Sequence, residues 1–421
     1  MTTPLRLRRR LAAGAAALAL LTGCAPADPA ISHDDAPGFD YGADQATVDR
    51  ALADLEPVRL VYQPTAQSPR SASAASGKRF MDAVRERSGG KIEIAPAWGQ
   101  SIAPYGEIDE ALNDGRLDIS FDVLTYSPRE YPRFDALGSL THLAPGSSLV
   151  GETAMVGQIL QTADANPAVR ERLAEEGLHM HTPMVNAGGY YLSCREPMEG
   201  VEDWKGLRVR IGTHRQRQQV EDLGGIALSM QYTEAYEALQ RGALDCAFNP
   251  LTAIGGLGIN EVAPHFYTWT DHAAADGGVG AHLYGSTVEE LPLPYRQILH
   301  DANVDYLQGH LEGVATAAKG AVGQAKKAGG AVSPLPQDVE QALAASSRRT
   351  MEELLSEGSL TQEDVDRAAA AADHWREAAE ETGVEDRGEF GDIATWLTEE
   401  DFRPVAQRMF DEILLDDRPT E

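Results

Sequence analysis

Apolar residues recur along this chain in two alternating rhythms. Val58 to Tyr62 (VRLVY) and Lys91 to Ala95 are short strand-type runs, separated by a helical stretch that ends at Gly89-Gly90. Ile108 and Leu112 then fall at helical spacing, with a glycine stop at Gly115 and a short apolar run behind it. The same order returns in Leu207 to Ile211 (LRVRI), a helix ending at Gly224-Gly225, the strand Ile226 to Met230, and a helix carrying Tyr236 and Leu239. Within these halves, Tyr232 to Ala247 (YTEAYEALQRGALDCA) matches Tyr105 to Ser120 (YGEIDEALNDGRLDIS) at eight of sixteen positions, among them Tyr105 with Tyr232, Gly115 with Gly242 and Asp118 with Asp245. A helix C-cap before a strand is common α/β grammar, but here three successive elements match in order. Each half is thus strand, helix, strand, helix, strand. Such alternation specifies a parallel sheet with helices on its faces, and ligands of such sheets sit at the carboxyl ends of the strands. Two such lobes facing each other make a cleft.

Beyond the second copy, the pattern predicts a strand at Ala281 to Gly285 (AHLYG) and a long helical run from about Leu293 to Lys327, with Ile298, Val304, Leu307 and Leu311 on one side. Asp338 to Glu357 and Gln362 to Thr382 read as further amphipathic helices, the second opened by a capping-box pattern at Ser359-x-x-Gln362.

The start of the chain follows different rules. Arg6, Arg8, Arg9 and Arg10 precede Leu11 to Leu21, an apolar run too short to span a bilayer as a mature helix. This is the build of an export signal, residues 1–23. It ends in Leu21-Thr22-Gly23-Cys24, similar to the lipobox of bacterial lipoproteins, in which the cysteine thiol receives a lipid; an ordinary signal peptide that contains a cysteine is the plainer alternative. Residues 24–56, rich in Ala, Pro, Asp and Gly after the cysteine, read as a flexible tether. The expected location is extracytoplasmic: lipid-anchored to the outer face of the cell membrane, or periplasmic. No later segment is long and apolar enough to span a membrane.

Composition narrows the function. Hydrophobic residues make up 43% of the 421, enough for sizeable cores. The net charge of -29 becomes -33 once a leader with four arginines and no acid is removed, which argues against nucleic acid as a partner, since that needs a basic surface. With Cys24 lipidated, Cys194 and Cys246 remain, both on strands of the second lobe and both outside the reducing cytoplasm. They are a candidate disulfide, with two buried free thiols as the alternative. The cysteines lack metal-site spacing, and strand histidines such as His179 and His181 are usually structural, so neither a metal nor a cofactor is expected. With no G-x-S-x-G turn, no H-E-x-x-H pair and no phosphate-binding glycine loop, no enzyme is expected either.

One set of motifs carries a resemblance. Asp203-Trp204-Lys205-Gly206-Leu207-Arg208-Val209-Arg210, then Tyr232 to Asp245, then Asn249-Pro250, is laid out like the substrate-binding proteins of TRAP transporters, which are tripartite and ATP-independent. Phe80 to Lys91 (FMDAVRERSGGK) and Gly99-Gln100 fit as well, so the resemblance covers residues 57 to 335 or so. It implies an α/β, two-lobed, periplasmic-binding-protein-like fold of type II topology, with the ligand cleft between the lobes. Lobe I takes 57–185, lobe II 186–269, a return to lobe I with a long bracing helix 270–340, and extra C-terminal helices 341–421.

The resemblance implies capture of a small organic acid and its delivery to the membrane permease subunits of an ion-gradient-driven TRAP transporter. The alternatives are a lipoprotein serving an ATP-driven (ABC) importer, or a ligand sensor that presents its closed form to a membrane receptor. By the same resemblance Arg210 grips the ligand carboxylate, and a planar guanidinium does offer a carboxylate two parallel charge-assisted hydrogen bonds. Asn249 then sits at the mouth of the cleft to bind a second ligand oxygen, and Tyr232 covers the ligand's apolar face. Phe121, Asp122 and Tyr126 follow the strand of the first copy and are expected to face the cleft, Asp122 suiting a hydroxyl or an ammonium. A second family arginine aligns with Gly189. Either the ligand has a single acid group, or Arg195, His214, Arg215 or Arg217 supplies the charge.

Overall fold

The computed structural model describes residues 36–270 and 277–420, so the leader, Cys24 and the first part of the tether lie outside the described residues. In chain order the strands are β1 (Val58–Gln63), β2 (Ile92–Pro96), β3 (Ile119–Asp122), β4 (His179–Asn186), β5 (Tyr190–Cys194) and β6 (Arg208–Ile211). They continue with β7 (Ile226–Ser229), β8 (Cys246–Pro250), β9 (His265–Thr268), β10 (Val279–Tyr284) and β11 (Val332–Pro334). Lobe I carries the sheet β2-β1-β3-β10-β4, and lobe II the sheet β11-β9-β5-β8-β6-β7.

The two copies build the same corner twice. β1 runs parallel to β2 and β3, as β6 does to β7 and β8. In each sheet the next strand is antiparallel and arrives from elsewhere in the chain, β10 beside β3 and β5 beside β8. The sequence echo has a local cause. Asp118 accepts a hydrogen bond from the Val61 backbone N–H at 2.7 Å, and Asp245 accepts one from the Arg208 N–H at 2.9 Å, so each copy's aspartate pins its last strand to its first. Gly115 and Gly242 turn the chain out of the preceding helices with φ of 76° and 71°, a conformation that strains any other residue.

The long run expected from Leu293 to Lys327 is two helices, Leu293–Asp301 and Asn303–Lys327, broken at Ala302. Asn303 makes the break useful: its amide donates to the backbone carbonyls of His181 and His300, and its carbonyl accepts from Thr182. The second helix packs against both lobes, on Ala74–Arg87 of lobe I and Leu251–Leu257 of lobe II. It then feeds β11, which pairs with β9. The stretch expected to return to lobe I therefore ends in the sheet of lobe II, because a 25-residue helix is long enough to cross between them.

Two further expectations need correction. The second half of the tether is packed rather than loose. Asp44 caps the helix Gln45–Leu52 by accepting from the Thr47 N–H, Val48 and Leu52 are buried, and the Lys91 ammonium binds carbonyls at the helix end. Val48 and Leu52, four residues apart, form a narrow stripe in an otherwise polar segment, and the cap and the lysine supplement it. The last long helix, Gln362–Glu381, is capped by Thr361 with Asp364, two residues after the expected Ser359/Gln362 pair. It lies on the helix Val150–Asp164, with Trp375 fully buried and its indole N–H donating to Gln161 at 2.8 Å.

Candidate functional site

Arg210 lies in β6, opposite Ala247 of β8, and its side chain is completely buried. Its Nε donates to the Met230 carbonyl at 2.9 Å and its Nη1 to the Phe248 carbonyl at 2.7 Å, which fixes the plane of the guanidinium. Its Nη2 reaches across to the Tyr126 hydroxyl of lobe I at 3.4 Å. Among the described residues it forms no ion pair. A guanidinium has five N–H donors, so donors remain after these three contacts. Asn249 stands two residues beyond Ala247 and so shares the face of Arg210. Both polar atoms of its amide are buried without a hydrogen-bond partner among the described residues.

The space between the lobes divides in two. An inner cleft is lined by Phe121, Tyr126, Tyr190, Tyr232, Pro250 and Thr252 among others. An outer groove is lined by Tyr105, Tyr126, Thr213, His214, Arg217 and Glu234 among others. Tyr105 and Tyr232 stand between the two spaces, their hydroxyls 2.9 Å apart.

Phe121, Tyr126 and Tyr232 line the inner cleft, and Arg210 touches it through Tyr126, whereas Arg210 itself, Asn249 and Asp122 line neither space. Strand alternation turns Asp122 away between Phe121 and Val123, and its carboxylate accepts from the Val123 N–H at 2.8 Å. Burial pushes that carboxyl up to about 7. None of the four substitute charges lines the inner cleft. Arg195 is exposed, Arg215 is buried against Asp135 at 2.7 Å, and His214 and Arg217 belong to the outer groove. At Gly189 the place of a side chain is occupied by a residue that the sequence reading missed. The Glu152 carboxylate accepts from the Gly189 N–H at 2.8 Å and from the Tyr191 hydroxyl at 2.7 Å, and a Cβ at Gly189 would meet it at 2.7 Å. Burial raises Glu152 to about 7. The one available signal was a lone charge in the mostly apolar run Leu149 to Leu160, whose other polar residues are Thr153 and Gln158.

Cys194 and Cys246 face each other across β5 and β8 and are joined as a disulfide. His181 is buried with its Nδ1 2.6 Å from the Tyr284 hydroxyl, while His179 lies 3.7 Å from Glu289. No group of three or more His, Cys, Asp or Glu side chains suited to a metal occurs among the described residues.

Two facing α/β lobes with a fixed, buried guanidinium and aromatic walls between them define a two-lobed ligand-binding protein. The chain belongs to the DctP family, the bacterial extracellular solute-binding proteins of family 7, whose model matches residues 64–357. It is 29% identical over 188 residues to a solute-binding protein of Albidiferax ferrireducens, which covers 44% of this chain and 52% of that one. The chain thus spans about half the length of that curated relative. Two solved structures share the fold. One is a TRAP solute binding protein of Rhodoferax ferrireducens in complex with copurified benzoate, at TM-score 0.63 and 17% identity over 76% of this chain and 99% of that one. The other is a marine metagenome TRAP solute binding protein specific for pyroglutamate, at TM-score 0.60 and 18% identity over 76% and 100%.

Proposed function

We propose that this protein captures a small organic acid outside the cytoplasm and delivers it to the permease subunits of a TRAP transporter. The observation that carries the reading is Arg210: a fully buried guanidinium, oriented by two backbone carbonyls and without an ion-pair partner among the described residues. Keeping such a charge from water is costly unless something anionic joins it, and a ligand carboxylate does so through paired charge-assisted hydrogen bonds. Asn249, with its amide unpaired, takes a further ligand oxygen. Phe121, Tyr126 and Tyr232 wall the ligand's body. Structurally similar proteins bind benzoate and pyroglutamate, each a ring with one carboxylate, which suits one arginine among aromatic walls. Family membership favours this reading over an ATP-driven importer or a receptor-coupled sensor.

We also propose that residues 1–23 are removed and that Cys24 carries lipid, tethering the protein to the outer face of the membrane. Among the described residues no helix is long and apolar enough to cross a membrane. A thermal-shift screen of organic acids, run on wild type and Arg210→Gln, tests the site. An acid at 100 times its dissociation constant adds about 2.7 kcal/mol to stability. The expected result is a rise in melting temperature for one acid class in wild type and none in the variant; an equal rise in both removes Arg210 from the site.

A further inference from the structure

We propose that Tyr105 and Tyr232 form a latch that holds the lobes closed, with Tyr105 a positioning residue for ligand capture. The pair is one residue met twice, since the two tyrosines occupy matching positions in the internal repeat, 127 residues apart. Each precedes the helix of its copy, Ile108–Asn113 or Ala235–Gln240, and that helix leads into β3 or β8. When two like lobes face each other about a pseudo-two-fold axis, only residues near that axis meet their own counterparts. The 2.9 Å contact between the hydroxyls therefore marks where the closing surfaces touch.

The pair lies where a latch must lie. Tyr232 lines the inner cleft and Tyr105 the outer groove, so the bond forms part of the wall between them. Both residues are less than a tenth exposed. The Tyr105 ring packs against Phe121 and Tyr126 at centroid distances of 6.5 and 6.2 Å, so it stays in place without its hydroxyl. Burial pushes both phenols above their ordinary range, so the hydroxyls stay protonated and the contact does not titrate away near neutral pH. Arg210 to Tyr126 at 3.4 Å is a second, longer bridge between the lobes. Through it, the residue proposed to hold the ligand also faces the closing surface.

The inference rests on the reading of the inner cleft as the ligand site, but its test needs no ligand. Spin labels at cysteines replacing Glu93 of lobe I and Lys205 of lobe II, whose side chains are each 71% exposed, report the separation of the lobes. The measurement uses the mature chain carrying Cys24→Ser, in wild type, Tyr105→Phe, Tyr232→Phe and the double variant. A single net hydrogen bond corresponds to about a three- to tenfold change in the open-to-closed ratio. Each single variant is expected to shift the distance distribution toward open by that factor. The double variant is expected to shift no further than either single one, because both deletions break the same bond. A Tyr105→Phe distribution identical to wild type overturns the latch, as do two shifts that simply add. A wild-type chain that binds no organic acid would sink the transport reading and leave this result standing.

Discussion

Arg210 on β6 and Glu152 on the helix Val150–Asp164 are both buried ionisable side chains. Arg210 is oriented by the Met230 and Phe248 carbonyls, so its fork is set before any ligand arrives. Lysine keeps the charge but not the planar fork or its tether. Arg210→Lys should therefore weaken binding of the acid at least about tenfold, the loss of one strong charge-assisted contact, as read by calorimetric titration. Glu152 gives a prediction in pH. Its folded carboxyl titrates about 7 against an ordinary 4.5, so between those values the folded state holds a proton that the unfolded chain has released. Its contribution is present on the acid side and lost as pH rises through 7. Glu152→Gln has no such titration. Urea unfolding at pH 5 and pH 8 should show the stability difference between variant and wild type moving in the variant's favour by about 2 kcal/mol at the higher pH. A difference that is flat with pH would mean that the carboxyl is not titrating as a buried group.

At the scale of elements, the helix Val150–Asp164 and the C-terminal helix Gln362–Glu381 are the pair that matters most. Gly157 lies directly against the Trp375 ring, where an added Cβ would come within 2.3 Å. Gly157→Ala should cost about 1–3 kcal/mol through overpacking, and Trp375→Ala about 3–5 kcal/mol through the cavity it leaves; denaturant unfolding measures both. The first of these helices has no polar stripe, because nearly every residue from Val150 to Ala163 is buried between β4 and the C-terminal helix. A helix covered on all sides has no periodicity to read. The C-terminal helix keeps one exposed face, and its span was legible to within a residue while its cap was not. Its Thr361 cap differs from the Ser359 pattern only in register, and local sequence leaves that choice open.

The whole molecule carries a charge that opposes its proposed ligand. At -29 over its full sequence, the chain repels anions at long range, while the contact at Arg210 is local and buried. Exposed charges more than about 8 Å away are largely screened at physiological salt. Stopped-flow association of a bound organic acid should therefore become modestly faster as salt rises from about 10 mM to the physiological range, over which the screening length falls from about 30 to 8 Å. A steep loss of binding over that range would contradict a buried clamp.

By itself the sequence determined the repeated corner in each lobe. Strand and helix periods and the glycine stops are short-range features, and Asp118 and Asp245 were legible as matching positions of the repeat, although their partners Val61 and Arg208 were supplied by the fold. It also marked Arg210, because the strand that carries it belongs to a recognisable block. Only the tertiary structure decided that Asp122 turns from the cleft, that Glu152 fills the space before Gly189, and that Tyr105 meets Tyr232. The reason is physical: periodicity records which face of an element is covered, whereas the identity of what covers it depends on how distant segments dock. A hydrogen bond between residues 127 positions apart leaves no mark on the local pattern of either one.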